Sequence, residues 1–233
     1  MTAAISATDL LGLGIYTVSE AATYARVSAA KFSRWIIGTS SQRPAVESNI
    51  DQTKNPDRWV TFLDFVQAMA IRDIRLTRKI PLEKLRKTVE MSERRFRLPY
   101  PFAMKHTTWL LGEEIRLDIK GYGIIEATGA HADQLNIRPV IERYMEDLSY
   151  DAKGLADGYT PFVWKNHKIV LNPKMHFGEP FVRPGRHTVS TLCDAFQAEG
   201  SYAAAAKAYN VKTEAVEAAY KYFYDYLRPS DTV

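Results

Sequence analysis

The first regular hydrophobic pattern of the chain begins just after Tyr16 and predicts two short helices. Thr17 and Glu20 have the spacing of a capping box, in which each side chain accepts a hydrogen bond from the backbone amide of the other. Ser28 offers a second N-cap and predicts a helix over residues 29–37, which Gly38 ends. Small alanines and the short connection favour helices that cross closely, as in a helix-turn-helix. The positions of the second helix predicted to face the core are Phe32, Trp35 and Ile36.

The opposite side of the second helix is the candidate DNA-reading surface. In a helix-turn-helix, the outward face of this helix enters the major groove, with its N-terminal residues nearest the base edges. Lysine and arginine donate to phosphates or to guanine, and short side chains permit close approach. A solvated helix face can carry the same residues, and this alternative stays open. The candidate DNA-binding residues of the helix are Ser28, Ala30, Lys31, Ser33 and Arg34.

The polar stretch over residues 39–57 has the character of a flexible basic wing. Arg58-Trp59-Val60, which follows it, predicts a short strand that closes the wing. A plain surface loop is the alternative. The basic residues in or beside this stretch, which we predict to contact DNA, are Arg43, Lys54 and Arg58.

Two longer helices follow the wing. Thr61 caps the first, which has Asp64 in its first turn and runs to about Lys79. Pro81 begins the second at a position where proline is tolerated, and Pro99 with Pro101 ends the unit. The pattern therefore predicts a winged helix-turn-helix DNA-binding domain over residues 1–105. Arg72, Arg75 and Arg78 follow an i, i+3, i+6 line on the first helix. The outward basic positions of the second helix, predicted to face solvent or the DNA backbone, are Lys84, Arg86, Lys87, Arg94 and Arg95.

Residues 106–158 have the pattern of a connector. Short β-prone runs alternate with turns between Thr107 and Thr128 and predict a small antiparallel sheet. Residues 137–148 have helical spacing of apolar side chains, and residues 151–158 have the composition of a loop. We predict a β-hairpin and helix that serve as scaffold.

The last part, residues 159–233, is predicted to be a strand followed by three helices. The strand spans residues 167–172, and the helices begin at Thr188, Ser201 and Thr213. Gly200 and Asn210 are suited to ending the first two helices. One face of the last helix is predicted to be apolar, and its members are Val216, Ala219, Tyr220, Phe223 and Leu227.

Three tyrosines of the last helix, Tyr222, Tyr224 and Tyr226, fall off this predicted apolar face. Exposed tyrosines are enriched at protein interfaces, so we predict that these residues bind a partner. Packing against the connector sheet is the alternative.

Composition and charge fit this organisation. Of 233 residues, 46% are hydrophobic, which excludes disorder of the whole chain. The predicted elements together give a mostly α fold with small β elements. Residues 1–105 contain 17 Lys and Arg against 10 Asp and Glu, whereas the remainder contains 14 against 17. A basic front part indicates a polyanionic partner at that end. One cysteine, Cys193, and the absence of an evident signal or bilayer-spanning stretch predict a cytoplasmic protein without membrane association.

No pattern of catalytic chemistry stands out. The five histidines lack ligand spacing with each other or with Cys193, and no phosphate-binding glycine loop is present. We therefore expect neither an enzyme nor a bound metal or cofactor, and we expect Cys193 to be a buried apolar residue.

Two resemblances make these expectations more specific. The residues from Tyr16 to Ala22, the basic helix with Trp35, and the segment Trp59 to Phe65 resemble the MerR-like winged-helix head over about residues 14–98. Residues 167–227 resemble the C-terminal domain of VapB-like antitoxins, although Pro184, Gly185, His187 and Thr188 replace the usual turn residues there. The residues shared with that group are Asn172, Pro173, Gly178, Pro180, Arg183, Arg186 and Val189.

The combined resemblance implies an antitoxin of a type II toxin-antitoxin system. Such a protein binds and neutralises a PIN-like ribonuclease toxin and represses its own operon by binding double-stranded operator DNA. Arg228 is a candidate to pair with the carboxylates of such a toxin. Heads that read symmetric half-sites favour a homodimer. The alternatives are a MerR-like regulator whose C-terminal domain senses a small ligand and an interaction module that does not contact DNA.

Overall fold

The computed structural model of the protein describes residues 9–48, 50, 57–98, 100–105, 107–111, 114–119, 123–126, 138–139 and 145–227. These residues form seven α-helices and two four-stranded antiparallel sheets. The architecture agrees with the predicted class, a mostly helical fold with small β elements.

The first part of the chain, which we call the head, contains four helices. They are α1 (Val18–Tyr24), α2 (Ala29–Ile36), α3 (Phe62–Arg78) and α4 (Leu82–Phe96). Short 3-10 turns precede and follow them at Asp9–Gly12 and Pro101–Ala103.

Side-chain caps fix the beginnings of these helices as predicted. The Thr17 hydroxyl accepts from the Glu20 amide, and the Glu20 carboxylate accepts from the Thr17 amide. Thr61 and Asp64 form the same reciprocal pair at α3. The Ser28 hydroxyl accepts from the Lys31 amide at α2. Each bond satisfies an amide that the helix itself leaves without a partner.

Three of the four strands of the first sheet confirm the predicted connector strands, and the fourth lies in a segment predicted to be helical. Its strands are β1 (Thr107–Leu111), β2 (Glu114–Ile119), β3 (Gly123–Glu126) and β4 (Arg138–Pro139), in the spatial order β3-β2-β1-β4. The register places Leu110 of β1 opposite both Ile115 of β2 and Arg138 of β4.

The second sheet and three helices form the last part of the chain, which we call the tail. The strands are β5 (Leu148–Tyr150), β6 (Ala156–Trp164), β7 (His167–Leu171) and β8 (Phe181–Arg183), paired in that order. The helices are α5 (Val189–Glu199), α6 (Tyr202–Ala208) and α7 (Thr213–Lys221), and α7 continues as a π-helical turn over Tyr222–Tyr226.

The apolar core links the head to the second sheet. One buried cluster contains the large side chains of α2 and α3 and continues into Leu148, Ala156, Tyr159 and Leu171 of the sheet. A second cluster joins Ile169 and Val182 of the sheet to the tail helices. The sheet therefore contributes side chains to both clusters.

Several predicted elements differ from the structure. Residues 58–60 are no strand: Arg58 has a left-handed backbone with φ of 53°, and only Val60 forms a bridge, with Tyr16. The helix predicted over residues 137–148 is wrong at both ends, because Arg138–Pro139 pairs with β1 and Leu148 begins β5. The predicted loop 151–158 ends early, because β6 begins at Ala156.

Candidate nucleic-acid interface

Helix α2 has one buried face and one exposed face. Phe32, Trp35 and Ile36 are buried against the rest of the head. Because successive residues turn by about 100°, Ala30 and Arg34 lie opposite these anchors, and both are exposed. The flanking side chains of Lys31 and Ser33 are half-buried. The outward strip is therefore narrow, with one small residue and one arginine at its centre.

The cations of this strip are not neutralised by neighbouring carboxylates in the described part of the chain. Neither the Lys31 side chain nor the Arg34 side chain forms an ion pair or hydrogen bond with another described residue. Ser28 is exposed, but its hydroxyl already accepts the Lys31 amide at 3.3 Å. Its structural role as N-cap is therefore established by geometry, whereas a role in DNA contact stays a prediction.

The loop after α2 places further cations at the surface. Arg43 and Arg58 are exposed, whereas Lys54 lies outside the described residues. The backbone of the loop is held at its base, because the Trp35 carbonyl accepts from the amides of Ala45 and Val46. Bends rather than a paired hairpin occupy the described residues of this loop. The wing therefore remains a prediction for its central residues.

Three arginines of α3 and α4, of which Arg86 is predicted to face outward, hold the head together. Arg72 donates to the Ala25 carbonyl at 2.8 Å and pairs with Asp73 at 2.8 Å. Arg75 donates to the Ile80 carbonyl, and Arg86 donates to the carbonyls of the loop at residues 43 and 44. Their guanidinium groups donate hydrogen bonds to backbone carbonyl oxygens at chain turns, where no helical partner is available. The side chain of Arg78 lies outside the part of the chain that the structure describes.

The predicted exposure of Tyr222 is wrong. Tyr222 is 1% exposed and lies in the core of the tail, which prevents direct contact with a partner surface. Its ring stacks on Tyr226 at 5.5 Å between centroids, and burial raises its pKa well above the ordinary value. Tyr224 and Tyr226 are half-buried, and Arg228 lies outside the described residues.

The apolar face of α7 agrees only in part with the prediction. Val216, Ala219 and Leu227 are buried as predicted, whereas Phe223 is 46% exposed. Ala215, Ala218 and Tyr222, which were not predicted to face the core, are also buried. The π-helical turn then adds one residue, since the Leu227 amide donates to the Tyr222 carbonyl and brings Leu227 back to the core. The exposed aromatic residue of the last turn is therefore Phe223.

Two contacts that the sequence did not predict join the head directly to the tail. The Tyr16 hydroxyl donates to the Gly178 carbonyl at 2.9 Å, inside the protein. The Arg26 guanidinium lies 4.6 Å from the centre of the Tyr226 ring, within the range of a cation–π contact. Gly178 was visible as a turn glycine, but its contact with Tyr16 depends on the relative placement of distant elements.

Two open grooves lie beside α4 in the head rather than in the tail. One, of about 340 Å³, lies between the loop at residues 43–48 and α4 and is lined by arginines and glutamates. The other, of about 480 Å³, is bounded by Arg43, Arg75 and Arg86. Neither groove supports the alternative of a ligand-sensing pocket in the tail.

The side chains that could ligate a metal lie apart from one another among the described residues. No three His, Cys, Asp or Glu side chains within them lie together in a way that could hold a metal. Cys193 is buried as predicted, and burial raises the pKa of its thiol to about 12. Across the described helices, none combines the length and the apolar character that crossing a bilayer requires.

Comparisons with known proteins add a family match in the tail and a shared fold. A family described as protein of unknown function (DUF433) matches residues 169–223, from β7 to the π-helical turn. The chain is 29% identical over 103 residues to the Uncharacterized protein Rv2308 of Mycobacterium tuberculosis, and the match covers 44% of this chain and 43% of that protein. The match therefore spans less than half of that relative.

The crystal structure of Rv2018 from Mycobacterium tuberculosis is similar over most of the chain. The TM-score is 0.62, and the alignment covers 89% of this chain and 97% of the other. Because the sequence identity is 17%, this similarity shows a shared fold and nothing about shared chemistry.

Proposed function

We propose that the protein is a DNA-binding repressor whose head reads double-stranded operator DNA with the outward face of α2. One observation carries the proposal: Ala30 and Arg34 are exposed opposite three buried anchors, and Arg34 forms no ion pair with a described residue. A helix that enters the major groove needs small side chains for close approach and unpaired donors for bases and phosphates. The helix-turn-helix interpretation of α1 and α2 is part of this proposal.

Each cation of the surface has a distinct expected role. Arg34 lies at the centre of the strip, where a bidentate contact with guanine discriminates by about 1–3 kcal/mol. Lys31 lies on the flank, where a phosphate contact is the expected geometry. Arg43 and Arg58 are exposed on the loop and are assigned to the adjacent DNA backbone, as is Lys54 by prediction.

The test measures binding of the full chain to a duplex from the region upstream of its own gene. Arg34→Ala should weaken binding by about 5- to 150-fold, the range that corresponds to a guanine contact. Lys31→Ala should lower the dependence of log K on log salt by about 0.9 for one lost phosphate contact. Lys207→Ala, which removes an exposed cation from α6 of the tail, is the control and should bind like the wild type.

Wild-type affinity of both Lys31→Ala and Arg34→Ala would contradict the proposal. The alternative of an interaction module that does not contact DNA would then be favoured. Equal weakening by Lys207→Ala would indicate general electrostatic attraction rather than contact through α2.

We also propose that the tail binds a PIN-like ribonuclease toxin, so that the protein is an antitoxin that represses its own operon. This part of the proposal rests on the resemblance of residues 167–227 to VapB-like antitoxins. Within that segment, Pro180 and Val189 are buried and Gly178 contacts the head, so these shared residues have structural roles. Partner contact is therefore assigned to the exposed side of the last turn, at Phe223 and Tyr224.

Co-expression with the product of the neighbouring open reading frame tests this second part. The wild-type chain should relieve growth arrest caused by that product and should co-purify with it. Phe223→Ala should weaken the rescue, because exposed aromatic residues dominate many interfaces. Phe177→Ala, which removes a 78% exposed aromatic side chain from a different turn, is the control. Failure of the wild-type chain to bind the product or to relieve arrest would refute the antitoxin role.

A homodimer is the expected assembly, because two heads related by a twofold axis match a palindromic operator. Sedimentation equilibrium of the full chain should give twice the monomer mass of 26.5 kDa. A monomer that binds DNA with one copy per site would contradict this assembly.

A further inference from the structure

The turn between α1 and α2 is held from outside the head. This turn, residues 25–28, leads directly into the exposed strip of α2. Arg26 has a left-handed backbone with φ of 56°, a conformation that a residue with a side chain rarely adopts without support. The preceding carbonyl, that of Ala25, accepts a hydrogen bond from Arg72 of α3 at 2.8 Å. The orientation of α2 therefore depends on what fixes Arg26.

The tail supplies the contact that covers Arg26. The Arg26 guanidinium lies 4.6 Å from the centre of the Tyr226 ring, in the π-helical turn at the end of α7. The Arg26 Nε atom is buried and has no hydrogen-bond partner among the described residues. The ring face of Tyr226 is thus the contact that stabilises the positive charge at this place.

Tyr226 is itself fixed by its neighbours. Its ring lies 5.6 Å from the Phe162 ring of β6 and stacks on Tyr222 at 5.5 Å. The π-helical turn, in which the Leu227 amide donates to the Tyr222 carbonyl, allows Leu227 rather than Tyr226 to enter the core. Tyr226 is therefore free to face the head. Single π-helical turns occur frequently at functional sites, which agrees with this arrangement.

We infer that Arg26 and Tyr226 are positioning residues for DNA binding, which makes the last turn of the tail a part of the DNA-reading unit. The inference rests on the proposed function of α2. In this inference, neither Arg26 nor Tyr226 contacts DNA. The Tyr226 ring holds Arg26, and Arg26 with the Arg72–Ala25 hydrogen bond holds the turn from which α2 begins.

The test uses the full chain and the upstream duplex, with affinity measured by fluorescence anisotropy at several salt concentrations. Arg26→Ala and Tyr226→Ala should each weaken binding by about 5- to 150-fold, the usual range of coupling between sites. The double variant should bind DNA no more weakly than the single variant with the lower affinity, because both substitutions remove the same contact. The salt dependence should stay unchanged, since no phosphate contact is lost.

Two further variants separate positioning from a general loss of structure. Tyr226→Phe keeps the ring face and should bind within about twofold of the wild type. Tyr209→Ala removes a 39% exposed tyrosine that contacts His187 within the tail, and it should not change DNA affinity. Thermal unfolding of each variant verifies the fold, and Tyr226→Leu, which keeps bulk without the aromatic face, replaces Tyr226→Ala if that variant fails to fold.

Three results would overturn the inference. The inference is overturned if Arg26→Ala and Tyr226→Ala, or Tyr226→Leu in its place, are folded and bind DNA with wild-type affinity. A lower salt dependence in Arg26→Ala with normal binding by Tyr226→Ala would make Arg26 a direct phosphate contact instead. If the wild-type chain does not bind DNA, both the proposed function and the inference are refuted. If only Lys31→Ala and Arg34→Ala weaken binding, the inference alone is refuted.

Discussion

Replacing Gly178 by alanine tests the contact between head and tail most directly. Gly178 has a φ of 83°, in the left-handed region that favours glycine. An added Cβ would collide with the Tyr16 hydroxyl and would lie 2.8 Å from both the Tyr16 Cζ atom and the Ile15 Cδ1 atom. Tyr16 is only 2% exposed and cannot move away into solvent. Alanine at this position therefore strains the backbone and separates the two surfaces.

The two costs can be estimated separately. Forcing an alanine into a left-handed conformation costs about 1–2 kcal/mol. Leaving the buried Tyr16 hydroxyl without its 2.9 Å acceptor costs about 1–3 kcal/mol more. Gly178→Ala should therefore lower the free energy of unfolding by about 2–5 kcal/mol.

Gly200→Ala is the matched control for the backbone cost. Gly200 ends α5 with a φ of 70°, and no atom lies within 4 Å of the position of an added Cβ. This variant should lose only about 1–2 kcal/mol. Urea denaturation of both full-length variants, followed by circular dichroism and by tyrosine and tryptophan fluorescence, measures the difference. Equal losses for the two glycines would refute the reasoning that the Tyr16–Gly178 contact stabilises the fold.

Three further outcomes follow from buried groups of the tail and head. Tyr222→Phe should leave stability unchanged or raise it, because the buried hydroxyl has no partner among the described residues, whereas Tyr222→Ala should cost about 3–5 kcal/mol in urea denaturation. Burial raises the pKa of Asp64 despite the hydrogen bonds from Thr61 and Ser48, so its contribution to stability is fully present below its ordinary pKa and is lost as pH rises through the folded value. The stability of the wild type relative to Asp64→Asn should therefore fall in urea denaturation as the pH rises from below the ordinary pKa of an aspartate, and a rise in relative stability would contradict the assigned shift. Cys193, with a thiol pKa raised to about 12, should react with a thiol reagent far more slowly in the folded protein than in denaturant, and equal rates would show that it is accessible.

The helix beginnings were predictable because their hydrogen bonds close within three residues. Thr17 and Glu20, Ser28, and Thr61 with Asp64 occupy the predicted cap positions. Gly200 and Asn210 likewise adopt the left-handed conformations expected after α5 and α6. Such features depend on local geometry that any surrounding fold preserves.

The buried face of α2 was also predictable, whereas that of α7 was predictable only in part. Phe32, Trp35 and Ile36 are large and recur at helical spacing, so only one face of α2 can be apolar. In α7, small alanines at 215, 218 and 219 leave the position of the stripe ambiguous. The additional residue of the π-helical turn then breaks the period on which the prediction for Phe223 relied.

The sequence by itself determined the caps, the apolar anchors of α2, three of the four strands of the first sheet and the candidate cations at Lys31 and Arg34. Only the tertiary structure decided that Arg72, Arg75 and Arg86 stabilise chain turns and that Tyr222 belongs to the core. It also joined Tyr16 to Gly178 across 162 positions of the chain. A contact of this kind has no periodic signature, because it depends on where two separately folded surfaces meet rather than on the residues beside either partner.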